Sequence, residues 1–157
     1  MIRLIDRTLL DELSAEAAAS PRLRKNRNFH PGDDYPAHRL LNAAEPDTYI
    51  APHRHLDPAK DETLALLRGR MGVVVFNENG DVALSRLMEA GGDCVGVDIP
   101  HGTWHTFVSL ERGTVIIEAK AGPYAPLSEN ERAPWAPAEG DPTGPGYLAR
   151  LRDLFDR

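Results

Sequence analysis

Met71-Gly72-Val73-Val74-Val75-Phe76-Asn77-Glu78-Asn79-Gly80-Asp81-Val82-Ala83-Leu84-Ser85-Arg86-Leu87-Met88 decides the fold. Two apolar, β-branched runs flank an Asn/Gly/Asp-rich turn, the pattern of a β-hairpin, because Asn and Gly accept the positive φ angles that a tight turn needs. The same rhythm extends outward on both sides. Upstream, Thr63–Leu67 follows the candidate strands His38–Asn42 and Thr48–Ala51, which are separated by Glu45-Pro46-Asp47. Downstream come Cys94–Ile99, Thr103–Val108 and Thr114–Lys120. Eight or nine short strands at regular spacing predict an all-β sandwich or barrel over residues 37–120.

Two histidine-bearing stretches fall inside this region: Pro52-His53-Arg54-His55, followed by Glu62 and Gly69, and Pro100-His101-Gly102-Thr103-Trp104-His105. On a strand, residues i and i+2 face the same way, so His53 and His55 are expected to point together. If they face a barrel interior, Glu62 and His105 can join them. Three imidazoles and one carboxylate form a complete ligand set for a divalent transition metal. His30 and His38, like His101, stand alone and are read as structural or exposed.

Composition narrows the partners. The 157 residues are expected to form one domain; 41% are apolar and 27% charged, as in ordinary globular proteins. The net charge of −6 argues against nucleic-acid binding. Cys94 is the single cysteine, which excludes an intramolecular disulfide and a Cys-based zinc site. No apolar run has membrane-spanning length, and the first residues lack the apolar core of a signal peptide, so no membrane partner and a cytoplasmic location are expected.

The flanks read differently. Residues 6–19 form an amphipathic helix with Leu9, Leu10, Leu13 and Ala17 on one face and Thr8 with Asp11 as a capping box. Up to residue 36 there follows a basic connector in which Arg22, Arg24 and Arg27 are candidates for binding phosphate or carboxylate. Residues 121–146, with six prolines and four glycines, are expected to wrap the barrel without a regular element, anchored by Tyr124 and Trp135. Residues 147–157 read as a short C-terminal helix, suited to packing or a homodimer contact.

Pro52-His53-x-His55, Glu62, Gly69 and Pro100-x-Gly102-x-x-His105 resemble the two motifs of the cupin superfamily. The resemblance implies a single small double-stranded β-helix (jelly-roll) barrel with helices packed outside. It also implies His53, His55, Glu62 and His105 as metal ligands. The gap from His55 to Glu62 is longer than the usual cupin gap, which leaves Asp57 and Asp61 as alternative oxygen ligands, and Ser109 stands where cupins carry Asn. Further matches narrow the resemblance: Arg22-x-Arg24, Asn28-Phe29-His30, Arg39-Leu40-Leu41-Asn42, Glu118-x-Lys120-x-Gly122-Pro123-Tyr124 and Trp135-x-Pro137-x-Glu139-Gly140. With the histidine motif, they are similar to the WbuC family of cupin-fold metalloproteins, found among bacterial surface-polysaccharide (O-antigen) genes.

The expected function is thus a metal-binding protein with one divalent ion (Fe, Zn, Mn, Ni or Cu). It would act on a small anionic molecule such as a sugar phosphate or nucleotide sugar through Lewis-acid chemistry. An Fe(II)-dependent dioxygenase and a non-catalytic metal- or ligand-binding module are the alternatives. Candidate substrate contacts are Arg39, Arg54, Arg22, Arg24, Arg27, Phe107, Lys120 and Tyr124; candidate acid/base groups are Glu118 and His101. Phe107 shares parity with His105 and is expected to face inward, with Trp104 facing outward. Pattern leaves open whether Glu118 and Lys120 or instead Val115, Ile117 and Ala119 face the interior.

Overall fold

The computed structural model describes residues 1–156. Eight strands form two antiparallel sheets: β1 (Arg24–Asn28), β2 (Ala37–Ala44), β3 (Glu62–Arg68), β4 (Arg70–Phe76), β5 (Val82–Glu89), β6 (Gly96–Ile99), β7 (Trp104–Ser109) and β8 (Thr114–Ala121). The first sheet runs in the order β1-β2-β8-β3-β6 and the second β5-β4-β7. Helices α1 (Arg7–Ala19) and α2 (Gly144–Arg152) lie outside. No helix among the described residues is long and apolar enough to cross a membrane.

Strand parity sorts side chains into three cores. Between the sheets, Leu64, Leu66 and Ile116 meet Met71, Val73 and Phe107. On the outer face of the five-stranded sheet, Leu41, Ala43 and Val115 pack beneath Leu13 and Ala17 of α1. On the outer face of the other sheet, Val74, Phe76, Trp104 and Val108 are covered by Ala133, Leu148 and Leu151. The two options for β8 are thereby decided. Val115 and Ile117 pack against α1, while Glu118 and Lys120 face the interior.

Several expectations are corrected. The helix is capped by Asp6, whose carboxylate accepts from Leu9 N (3.0 Å), and not by Thr8, which lies inside α1. The basic connector contains an edge strand, β1, paired antiparallel with β2 in spite of its polar sequence. Thr48–Ala51 is not a strand; Thr48 instead donates its hydroxyl to Arg22 O (2.6 Å). The Pro/Gly-rich segment does wrap the barrel, with Trp135 against Phe76 and Trp104, but the Tyr124 ring is 63% exposed and anchors nothing; only its backbone N–H is held, by Asp33 O (2.7 Å). One 3-10 turn, Glu129–Glu131, interrupts it, and α2 begins at Gly144, three residues before the expected Tyr147.

Gly69 joins β3 to β4 at φ +86°, and a Cβ there would sit 2.8 Å from the Thr114 Cα, so only glycine closes this turn.

Candidate metal centre

His53 and His55 stand on an extended segment that lacks a regular strand partner, and neighbouring backbone holds it in place. His53 N donates to His105 O (3.0 Å) and His105 N returns to His53 O (2.9 Å). On the other side, Arg54 N donates to Glu131 O (3.0 Å) and Ala133 N to Pro52 O (3.2 Å). The Pro/Gly-rich wrap therefore supplies one flank of the ligand segment. Arg54, between the two histidines, stacks over the Trp104 ring at 4.1 Å, and both Arg54 and Trp104 bond to Glu78.

The long gap after His55 is a turn. Asp57 Oδ1 accepts from Ala59 N (2.9 Å), and Asp61 Oδ1 accepts from His101 N (2.8 Å), so both alternative carboxylates face away from the histidines. Glu62, the first residue of β3, is 4% exposed and lies among them. Ligand atoms of His53, His55 and Glu62 lie within 4.8 Å of one another. His55 Nε2 is 3.0 Å from Glu62 Oε1, and His105 Nε2 is 2.9 Å from Oε2.

Tautomers can be read from the backbone. A carbonyl only accepts, so the contacts His53 Nδ1···Ala51 O (3.0 Å) and His105 Nδ1···Thr103 O (2.9 Å) place the proton on Nδ1 of each neutral ring. Nε2 is left as the free nitrogen. His105 Nε2 is buried without a hydrogen bond among the described residues. A lone pair 2.9 Å from a carboxylate oxygen is repulsive unless a cation lies between them. Ligands on a common ion at about 2.1 Å are separated by about 3.0–3.4 Å. The donor set therefore fits a divalent metal, and backbone carbonyls orient two of its imidazoles.

Electrostatics agree with this. Burial first, then the proximity of the His105 ring, push the His53 imidazole down to about 4 from its ordinary 6.5, which keeps it neutral and able to ligate. Burial alone would raise the Glu62 carboxyl. The nitrogens of His105 and His55 and the Lys120 ammonium outweigh it and hold Glu62 well below the usual carboxylate range. Lys120 bridges Glu62 (2.7 Å) and Glu118 (3.0 Å), and Asn42 donates to the other oxygen of Glu118 (2.7 Å). Burial disfavours the Lys120 charge, but the two carboxylates raise its pKa above the ordinary lysine value.

His53, His55, Glu62, Glu118, Lys120 and Asn42 line a cavity of about 370 Å³, of the size that holds a small ligand. Leu64, Met71, Phe107 and Ile116 form an apolar floor, with Glu62, Glu118, Lys120 and Asn42 on one polar wall. Arg22, Arg24, Lys60 and Tyr124 also line it. The other proposed contacts lie outside the cavity lining. Arg27 pairs with Glu16 of α1 (2.8 Å), Arg39 lies over Tyr35, Arg54 belongs to the Trp104 stack, and exposed His101 pairs with Asp61 (2.8 Å). Arg22 and Arg24 are themselves tied to Glu139 of the wrapping segment (2.6 Å each). Asn42, quoted above only within a strand and a family motif, and Lys60 are not among the site residues expected from sequence. Asn42 had a signal, as a lone polar residue in the apolar run Leu40–Ala44, whereas Lys60 had none.

Residues 5–88 match a family described as "Domain of unknown function (DUF6016)". No curated protein sequence matches. Among solved structures, KdgF from Halomonas sp. aligns with TM-score 0.51 at 19% identity, covering 65% of this chain and 82% of that one. The conserved SPY1581 protein of unknown function from Streptococcus pyogenes aligns with TM-score 0.53 at 10% identity, over 80% of this chain and 91% of that one. At such identities the likeness is one of fold: an all-β cupin core with helices outside.

Proposed function

The chain belongs to the DUF6016 family, and on that footing we propose that it is a divalent-metal cupin enzyme acting on a small, hydroxylated, anionic substrate of the sugar-phosphate or nucleotide-sugar class. The observation that carries this reading is the bare, buried Nε2 of His105 facing Glu62, which with His53 and His55 lines a ligand-sized cavity. His53, His55, Glu62 and His105 would hold the ion, which when bound supplies Lewis-acid polarisation of a substrate carbonyl or hydroxyl oxygen.

The remaining work falls to the chain's own groups. Glu118, fixed by Asn42 and Lys120, is oriented to take or return a proton at a substrate carbon or hydroxyl. The Leu64, Met71, Phe107 and Ile116 floor excludes water from the inner end. Lys60, held by the carbonyls of Ala121 and Pro123 and without a carboxylate partner among the described residues, offers the cavity an uncompensated positive charge for an anionic group. The resemblance to WbuC suggests surface-polysaccharide assembly as the setting.

The test has two parts. Elemental analysis of protein purified without added metal, and calorimetric titration of divalent ions, should find one ion per chain, lost in His105→Ala. The metal-loaded protein is then screened against sugar phosphates and nucleotide sugars. Absence of a bound ion, or no binding and no turnover across the panel, overturns the proposal. Oxygen uptake with Fe(II) would instead favour a dioxygenase.

A further inference from the structure

The polar wall of the metal cavity continues well beyond the metal end. Registers across the five-stranded sheet align inward-facing residues in rows. His38 of β2, Lys120 of β8 and Glu62 of β3 form one row; Asn28 of β1, Leu40, Glu118 and Leu64 form the next; Asn26, Asn42, Ile116 and Leu66 form the third. A second chamber, of about 340 Å³, opens at the β1 end and shares Asn26, His38, Glu118, Lys120 and Tyr124 with the metal cavity. From Glu62 on β3 to Asn28 on β1 is three strand spacings, about 14 Å. This is longer than a single sugar ring.

The second chamber has a different chemistry from the first. Its walls add Asn28, His30 and Asp33. The carboxamides of Asn26 and Asn28 and the carboxylate of Asp33 have no hydrogen-bond partner among the described residues. His30 and His38 stack face to face at 3.9 Å; His30 Nδ1 accepts from Arg39 N (3.2 Å) and His38 Nε2 lies 3.1 Å from Asp33 O, so each spends one ring nitrogen on the backbone. Tyr124, whose exposed ring anchors nothing, stands where the chambers join. Lys120, the one Lys or Arg in the chamber lining among the described residues, is engaged with its two carboxylates, and Arg27 of β1 pairs with Glu16. The chamber thus presents unspent amide, imidazole and carboxylate groups beside an aromatic face, with no free cation. That set matches the vicinal hydroxyls of a neutral ring better than a phosphate.

We propose that the chamber lined by Asn26, Asn28, His30 and Asp33 is a second ligand subsite, which binds a neutral, hydroxyl-rich ring of the glycosyl class while the other end of the same ligand reaches the metal. The proposal rests on the reading above only for the direction in which the ligand lies. The natural substrate is then at least two-part, with its uncharged sugar portion laid across β2 toward β1.

The test uses the full chain labelled with ¹⁵N, both zinc-loaded and EDTA-stripped, titrated with neutral disaccharides (maltose, lactose, cellobiose) and, separately, with inorganic phosphate. The disaccharides should shift the side-chain amide signals of Asn26 and Asn28 in both states. Phosphate should shift signals around Lys60 and the histidine ligands and leave those amides unmoved. The Asn26→Ala/Asn28→Ala variant, altered only at exposed edge-strand side chains, should weaken disaccharide binding about tenfold through the loss of one to two hydrogen bonds. It should keep the wild-type melting temperature and zinc affinity. Asn26 and Asn28 signals that respond to phosphate, or that no disaccharide moves up to its solubility limit, overturn the subsite. A protein that fails to bind zinc but still shows the disaccharide shifts refutes the metal reading and leaves the subsite standing.

Discussion

Lys120 is the residue through which the site's electrostatics can be tested most sharply. It neutralises two buried carboxylates, Glu62 at 2.7 Å and Glu118 at 3.0 Å. Lys120→Met keeps the aliphatic stem and deletes the charge. At an effective dielectric near 20, a unit pair about 3 Å apart interacts by roughly 5–6 kcal/mol. Desolvation of the ammonium offsets part of this, and deletion of one partner of a buried pair typically costs about 3–5 kcal/mol. Lys120 is partly accessible, so the lower end applies: about 3 kcal/mol, or roughly 6–12 °C in Tm for a chain of this size. That loss belongs to the metal-stripped protein. A divalent ion replaces the missing positive charge beside Glu62, so the loaded variant should lose less. By linkage its metal affinity must then rise, by about tenfold for each 1.4 kcal/mol recovered. The assay is thermal denaturation with EDTA and with saturating zinc, alongside calorimetric zinc titration. An equal Tm loss in both states, or zinc affinity that falls, would refute the reasoning. Lys120 would then act by positioning Glu62, and its charge would not be what matters.

Other outcomes follow from the same structure. The folded-state pKa of His53 is depressed from 6.5 to about 4, so the unfolded chain binds a proton that the folded one does not. Stability of the stripped protein should therefore fall as pH drops through that window, by about 3 kcal/mol in all. Urea denaturation at several pH values should show a shallower dependence in His53→Gln; an unchanged slope would contradict the assignment. Gly69→Ala places a Cβ against the Thr114 backbone at positive φ and should cost about 3 kcal/mol or more, read as a lowered denaturation midpoint. Leu13→Ala opens a cavity in the outer core beneath α1 and should cost about 3–4 kcal/mol while leaving zinc affinity unchanged, since that core lies on the opposite face of the sheet from the site.

Much of this was legible in the chain because it is encoded locally. The Asn77–Asp81 turn and its apolar flanks fall where expected, since turn chemistry and period-two patterning act over a few residues. Parity placed Phe107 inward and Trp104 outward. Arg24–Asn28 was hidden because an edge strand made of Arg, Lys and Asn has no apolar face to display; pairing with β2 alone holds it extended. Thr48–Ala51 misled in the opposite direction, because an extended polar-apolar run looks the same whether or not a neighbouring strand pairs with it.

The histidine pair, the later histidine and the strand rhythm were set by residue type and spacing alone, and so was the expectation of a β-barrel around a metal. Tertiary structure decided the rest, because it depended on which distant groups came to share one space. Glu62 faces the imidazoles, whereas Asp57 is consumed by its own turn and Asp61 by His101, forty residues on. Helix α1 takes the apolar face of β8, and Glu118 and Lys120 are thereby turned inward. The arginines of the basic run, read as a free anion patch, are tied down by Glu16 and Glu139, the latter more than a hundred residues away in sequence. An ion pair of that range leaves no local pattern, and only the folded chain shows which charges remain for a ligand.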